Sequence, residues 1–135
     1  MLFYIDTSIY LNLWQNEKPF CIYAKHFFEK YTNSTFFYSG FILKELCHIL
    51  SEEKFKQKQI LFKNTPDFKK LMLTSEEFNE ARKIESEVNY EISFFDIIHI
   101  LLARKVNSIL IIRDKKMLEL AVKYGVNSGK PEEFL

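Results

Sequence analysis

Met1-Leu2-Phe3-Tyr4-Ile5-Asp6-Thr7-Ser8 is the stretch that decides the fold. Leu2 to Ile5 run without a polar break, as strands do when a parallel sheet buries them on both faces. Asp6 closes the run, and Thr7 and Ser8 are residues that begin helices. A buried strand that passes at once into a helix is the first half of a βαβ unit.

The pattern repeats outward from there. Helical stretches near residues 8–14 and 20–31 lead through the turn Thr32-Asn33-Ser34 to a second strand at residues 35–38. Ser39-Gly40 then opens helices at about 41–51 and 54–63, and residues 70–74 read as a third strand. Ser75 is the expected N-cap of a helix running to about Val88, with Glu76 and Glu77 in its first turn. The segment Phe94 to Lys105 is apolar on nearly every side, which marks a buried helix. Residues 108–112 supply a fourth strand, and a helix at about 115–124 ends at Gly125, a left-handed cap. Val126 to Leu135 adds a short last strand and a tail. Strands separated by helices, with no hairpin signal, predict an α/β fold: a parallel central sheet of about five strands with helices on both faces. No repeat or linker interrupts it, so residues 1–135 are expected to form one domain.

Composition narrows the function. Fourteen Phe in 135 residues make an aromatic core, and the net charge of +1 argues against gripping nucleic acid by bulk electrostatics. Only a local basic patch would serve. Two cysteines, Cys21 and Cys47, are too few for a disulfide framework and suit the reducing cytoplasm. The N-terminus lacks the basic leader of a signal peptide, and no apolar run approaches a membrane span.

Four acids stand in unsuitable places. Asp6 and Asp114 close apolar strands, whereas Glu45 and Asp96 interrupt the apolar faces of two helices. The chain has four aspartates, and three are in this set. An ionised carboxylate in a poorly hydrated site costs several kcal/mol unless a cation or hydrogen-bond donors compensate. Ligands of parallel α/β sheets sit outside the carboxyl ends of the strands, where Asp6 and Asp114 would face one crevice. Each acid has a plainer reading: Asp6 and Asp96 as helix N-terminal acids, Asp114 as a turn residue, Glu45 as partner of a lysine. Taken together they suggest a shared cation. Carboxylates without a cysteine or histidine cluster suit Mg²⁺ or Mn²⁺ rather than zinc. Such a cation produces a nucleophile from water and steadies an in-line displacement at phosphorus, so the chemistry indicated is phosphodiester hydrolysis. His99 has two readings, a proton shuttle or a core histidine bonded to a neighbouring acid.

The segments Phe3-Tyr4-Ile5-Asp6-Thr7-Ser8, Ile42-Leu43-Lys44-Glu45-Leu46, Phe95-Asp96-Ile97-Ile98-His99 and Ile111-Ile112-Arg113-Asp114, with the closing Pro131-Glu132-Glu133-Phe134-Leu135, resemble the PIN-domain family, in particular its toxin-type members. The resemblance implies Mg²⁺- or Mn²⁺-dependent cleavage of RNA, with Asp6, Glu45, Asp96 and Asp114 as catalytic metal-binding acids. Thr7 or Ser8 would orient water or a carboxylate. It also implies an antitoxin partner and a homodimer, which Phe55, Ile60, Leu61 and Phe62 would serve. Two positions depart from the family pattern: Ile112 stands where many relatives have Thr or Ser, and Lys116 where they have an acid. A second cation is therefore less supported than the first. Arg113, Lys115 and Lys116 make that rim basic and are candidates to hold the substrate phosphate, and the lysines between Lys54 and Lys70 offer a second basic face. The rival readings are a non-catalytic RNA-binding or protein-interaction module, and a phosphotransfer domain of the receiver type, which Thr74-Ser75 disfavours for want of an acceptor aspartate.

Overall fold

The computed structural model describes residues 1–135. Five parallel strands, β1 (Leu2–Ile5), β2 (Thr35–Ser39), β3 (Phe68–Leu71), β4 (Ile109–Ile111) and β5 (Ser128–Gly129), lie in the order β3-β2-β1-β4-β5. Between them run α1 (Thr7–Trp14) and α2 (Phe20–Lys30), α3 (Gly40–Ile49) and α4 (Glu52–Asn64), α5 (Ser75–Glu87) and α6 (Phe94–Lys105), and α7 (Lys115–Lys123). A 3-10 turn, Pro131–Phe134, closes the chain. The first two crossovers move one way across the sheet and the later ones the other way. Because such crossovers are right-handed, α1 to α4 cover one face and α5 to α7 the other.

β1 is central, and its alternation serves both layers. Phe3 points toward α2 and meets Phe27 and Tyr31 at ring distances of 4.9 Å each, with Phe36 stacked at 5.9 Å. Tyr4 points the other way, toward α6. A second aromatic group joins Tyr10, Phe62 and Phe68, which places Phe62 of α4 in the core and not on a docking surface, while Ile60 and Leu61 are exposed.

Local chemistry sets the helix ends. The carboxylates of Asp6 and Asp114 cap α1 and α7, accepting from the Ser8 and Met117 amides at 3.1 and 3.0 Å. Ser39, Ser51 and Ser93 cap α3, α4 and α6. Thr74, not Ser75, caps α5, because Glu77 three residues on completes a reciprocal capping box. The third strand likewise begins earlier than its sequence suggests, at Phe68, since Phe36 and Phe68 stack across the β2–β3 pair at 5.4 Å. Gly125 takes the left-handed conformation expected of it, with φ of 74°. β5 has two residues, short as its sequence of Ser and Gly implies.

Phe3→Ala removes a ring that no neighbour can replace in the central strand. It is expected to lower stability by about 3–5 kcal/mol in denaturant-induced unfolding.

Candidate functional site

Because the strands are parallel, their carboxyl ends form one edge, and the acids are delivered there by backbone geometry. Asp6 is the first residue past β1, and its amide still bonds the Ile111 carbonyl of β4 at 3.0 Å. β1 and β4 are also where the crossovers change direction, the position at which parallel α/β sheets generally take their ligands. Glu45 reaches that edge from the second turn of α3, and Asp96 from the first turn of α6.

Asp6, Asp96 and His99 bring one potential ligand atom each within 4.8 Å of one another. Glu45 joins through His99, whose Nε2–H donates to Glu45 Oε1 at 2.6 Å. Thr7 donates to the same oxygen at 3.1 Å, and the Ser8 hydroxyl donates to Asp6 Oδ2. The other oxygens, Asp6 Oδ1 and Glu45 Oε2, receive no protein hydrogen bond, and no Lys or Arg pairs with any of the three carboxylates. Asp6 is buried, with Asp96 and Glu45 half-buried.

His99 is fully buried, and its Nδ1 bonds the Tyr4 hydroxyl at 2.7 Å, which in turn bonds Ser39 Oγ at 2.8 Å. Both imidazole nitrogens are therefore engaged, so His99 orients Glu45 and neither nitrogen is left free. This is the core reading of His99, with the acid supplied by a helix 54 positions away.

The electrostatics follow from crowding. Burial and the neighbouring Asp6 carboxylate push the Asp96 carboxyl up to about 6. Burial opposes a charge on His99, but the hydrogen bond to Glu45 and the charges of Asp6, Glu45 and Asp96 outweigh it and raise its pKa. Burial also raises the Tyr4 phenol, which remains protonated. Three oxygen-bearing groups short of cations fit a hard divalent ion of the Mg²⁺ or Mn²⁺ kind.

The remaining sequence candidates are placed differently. Asp114 is exposed on the same edge but acts as the cap of α7, and it does not join the Asp6–Asp96–His99 group. Arg113 does not reach out as a free phosphate ligand. Its guanidinium bonds Glu132 at 2.9 Å and Asn12 at 3.3 Å and lies over the Phe20 ring at 4.2 Å. Lys115 and Lys116 are exposed and make no ion pair. Tyr4 and Ser39 have no signal of their own in the sequence, since a tyrosine in a buried strand and a serine before a helix read as core and cap.

A PIN domain family model matches residues 3–123. A chain of VapBC2 from Rickettsia felis bound to a DNA fragment from their promoter shares the fold with a TM-score of 0.67. The two are 14% identical, and the match covers 96% of this chain and 98% of that one. No curated protein matches the sequence significantly.

A raised Asp96 pKa favours the folded state below about pH 4, and that contribution is lost as pH rises through about 6. Metal-free Asp96→Asn protein should therefore be more stable than wild type at pH 7.5, by about 1–2 kcal/mol once solvent screening is allowed for. The difference should shrink toward pH 4.5, and thermal melts across that range provide the check.

Proposed function

The chain belongs to the PIN-domain family, and on that premise we propose that it is a divalent-metal-dependent endoribonuclease. One observation carries this reading: Asp6 and Asp96 meet at the carboxyl edge of a parallel sheet, Glu45 joins them through His99, and no Lys or Arg neutralises the three. Asp6, Glu45 and Asp96 would hold Mg²⁺ or Mn²⁺, with Asp114 completing the acidic rim. When bound, the cation would supply an activated water nucleophile and charge stabilisation at the phosphoryl oxygens.

The chain's own groups have distinct tasks in this reading. Thr7 and His99 fix one oxygen of Glu45 and leave the other toward the cleft, while Ser8 does the same for Asp6. Tyr4 and Ser39 hold the imidazole from behind, the kind of support that metal-site carboxylates need to keep their aim. Lys115 and Lys116, free at the first turn of α7, would contact RNA phosphates, and Arg113 would secure the loop that carries them.

Residues 1–135 would act as one nuclease domain. The likeness to VapBC2 supports a role as the toxin of a type II toxin–antitoxin pair with an antitoxin partner, and exposed Ile60 and Leu61 suit a homodimer. No helix is long and apolar enough to cross a membrane, and both cysteines are free, in keeping with work on RNA in the cytoplasm.

A second reading, a catalytically silent RNA-binding or protein-interaction module, is favoured by the use of Asp114 as a cap and by Lys116 beside it. Titration calorimetry with Mn²⁺ separates the two, because a silent site would show no carboxylate-dependent heat. Purified protein is expected to cleave single-stranded RNA only with divalent metal, and Asp6→Asn or Asp96→Asn should lower the rate at least a hundredfold. Undiminished cleavage by both variants would reject the assignment. Lys116→Ala should raise KM several-fold without changing stability, whereas Arg113→Ala should lower stability by about 2 kcal/mol through its half-buried partner Glu132.

A further inference from the structure

A second cavity, of about 510 Å³, opens on the same edge of the sheet beyond β2 and β3. Phe41, Lys70, Met72, Ser75, Phe78 and Asn79 are among its walls. It shares structural members with the acid cleft. On α3, Phe41 stands one turn before Glu45, on the same face. Its ring meets Phe95 at 5.2 Å, and Phe95 immediately precedes Asp96 on α6. Phe78 of α5 meets Phe94 at 5.0 Å, one residue further back.

The groove is held open by contacts of its own. Lys105 donates to the Met72 carbonyl at 2.9 Å and to Glu77 at 2.8 Å, and the Thr74–Glu77 capping box fixes the next turn. Met72 is 69% exposed and Phe78 40%, so apolar surface faces solvent. Lys70 lines the groove and makes no ion pair. Outside its lining, Lys44 lies 5.7 Å over the Phe95 ring, and the Arg82 guanidinium, paired with Glu85 at 3.1 Å, lies 3.8 Å over Phe94. The Ser75 hydroxyl and the Asn79 carboxamide are free of side-chain hydrogen bonds within the protein.

Apolar walls beside one unpaired cation, Lys70, match a nucleotide, whose base is a flat apolar face with polar edges and whose phosphate is an anion. The volume falls in the range of pockets that bury a small ligand. The other aromatic cavity, about 240 Å³ beneath Trp14 and Phe62, contrasts with it. That one includes Phe36 and Phe68 at the starts of β2 and β3, away from the acids, and its only charged lining residue is Asp67.

We propose that the groove between α3, α5 and the end of β3 is a subsite for one unpaired nucleotide of single-stranded RNA next to the phosphate being cut. Its base enters between Phe41, Met72 and Phe78, Lys70 meets its phosphate, and Ser75 and Asn79 face the base edge. The placement beside the scissile phosphate rests on the nuclease reading; the nucleotide site itself does not.

The test uses full-length protein and a short single-stranded RNA containing 4-thiouridine, in EDTA so that no cleavage intervenes. Photo-crosslinks should map to the segment 70–79 or to Phe41. Met72→Glu and Lys70→Glu should each weaken RNA binding about tenfold, while leaving the Mn²⁺ titration and the melting temperature unchanged. Lys123→Glu, the same charge reversal at the far end of α7, should weaken it less than about twofold. With metal present, the two groove variants should raise KM by the same factor and leave kcat within about twofold. Unchanged RNA affinity in both groove variants, crosslinks confined to other segments, or equal losses in the Lys123 control would overturn the proposal. So would a dimer that Met72→Glu converts to monomer with RNA affinity intact, since the groove would then be an interface between copies. Cleavage that is absent in wild type while the crosslinks and tenfold losses persist would reject the nuclease reading and leave the nucleotide site standing.

Discussion

The hydrogen bond between His99 and Glu45 is the contact on which the site depends. Glu45 comes from the layer of helices on one face of the sheet and His99 from the layer on the other, so the bond ties the two layers over the edge of β1. Without it, Glu45 would be a half-buried carboxylate facing Asp6 and Asp96 with only Thr7 as donor. With it, an imidazole N–H serves Glu45, and although burial opposes a charge on the histidine, the bond to Glu45 and the surrounding carboxylates raise its pKa. Tyr4 gives the arrangement direction. Its hydroxyl, fixed by Ser39, engages Nδ1 and leaves Nε2–H no orientation except toward Glu45.

That network needs the strand order. Only a central strand with both faces covered can send Phe3 into one layer and Tyr4 into the other while its next residue, Asp6, emerges at the edge. The pairing of β1 with β4 sets Asp6 beside Ile111, at the point where the crossovers reverse. The acids are thus crowded by topology, and the Asp96 carboxyl is raised first by its burial and then by the neighbouring Asp6 charge. Without a cation that repulsion is borne as lost stability; a bound cation would relieve it.

Much of this was legible in the sequence because it is written in local patterns. The unbroken run Leu2 to Ile5, the all-round apolar Phe94 to Lys105 and Gly125 each carry a period or a conformation that a reader can recognise. The misplaced Asp6, Glu45 and Asp96 were visible for the same reason, as charges against an apolar background. What escaped depends on neighbours distant in sequence. Nothing around Tyr4 or Ser39 says that they hold His99, 95 and 60 positions away, and nothing around Arg113 announces Asn12 and Glu132 as partners. Ser75 lost the α5 cap to Thr74 because the capping box is a competition between adjacent hydroxyls, decided by which one stands three residues before a glutamate.

Asp114, like Asp6, lies between a strand and the helix that follows it. Its carboxylate caps α7, a task that any of several small polar residues performs, and the neighbouring Arg113 is turned inward onto Glu132 and Phe20. With Ile112 buried in the strand's continuation and Lys116 in the helix, the β4–α7 corner offers no second acid pair. It offers instead two free lysines, Lys115 and Lys116. In the nuclease reading those ammonium groups would hold a phosphate and could not activate water, so making the nucleophile would fall to the one site that His99 and Tyr4 keep aligned.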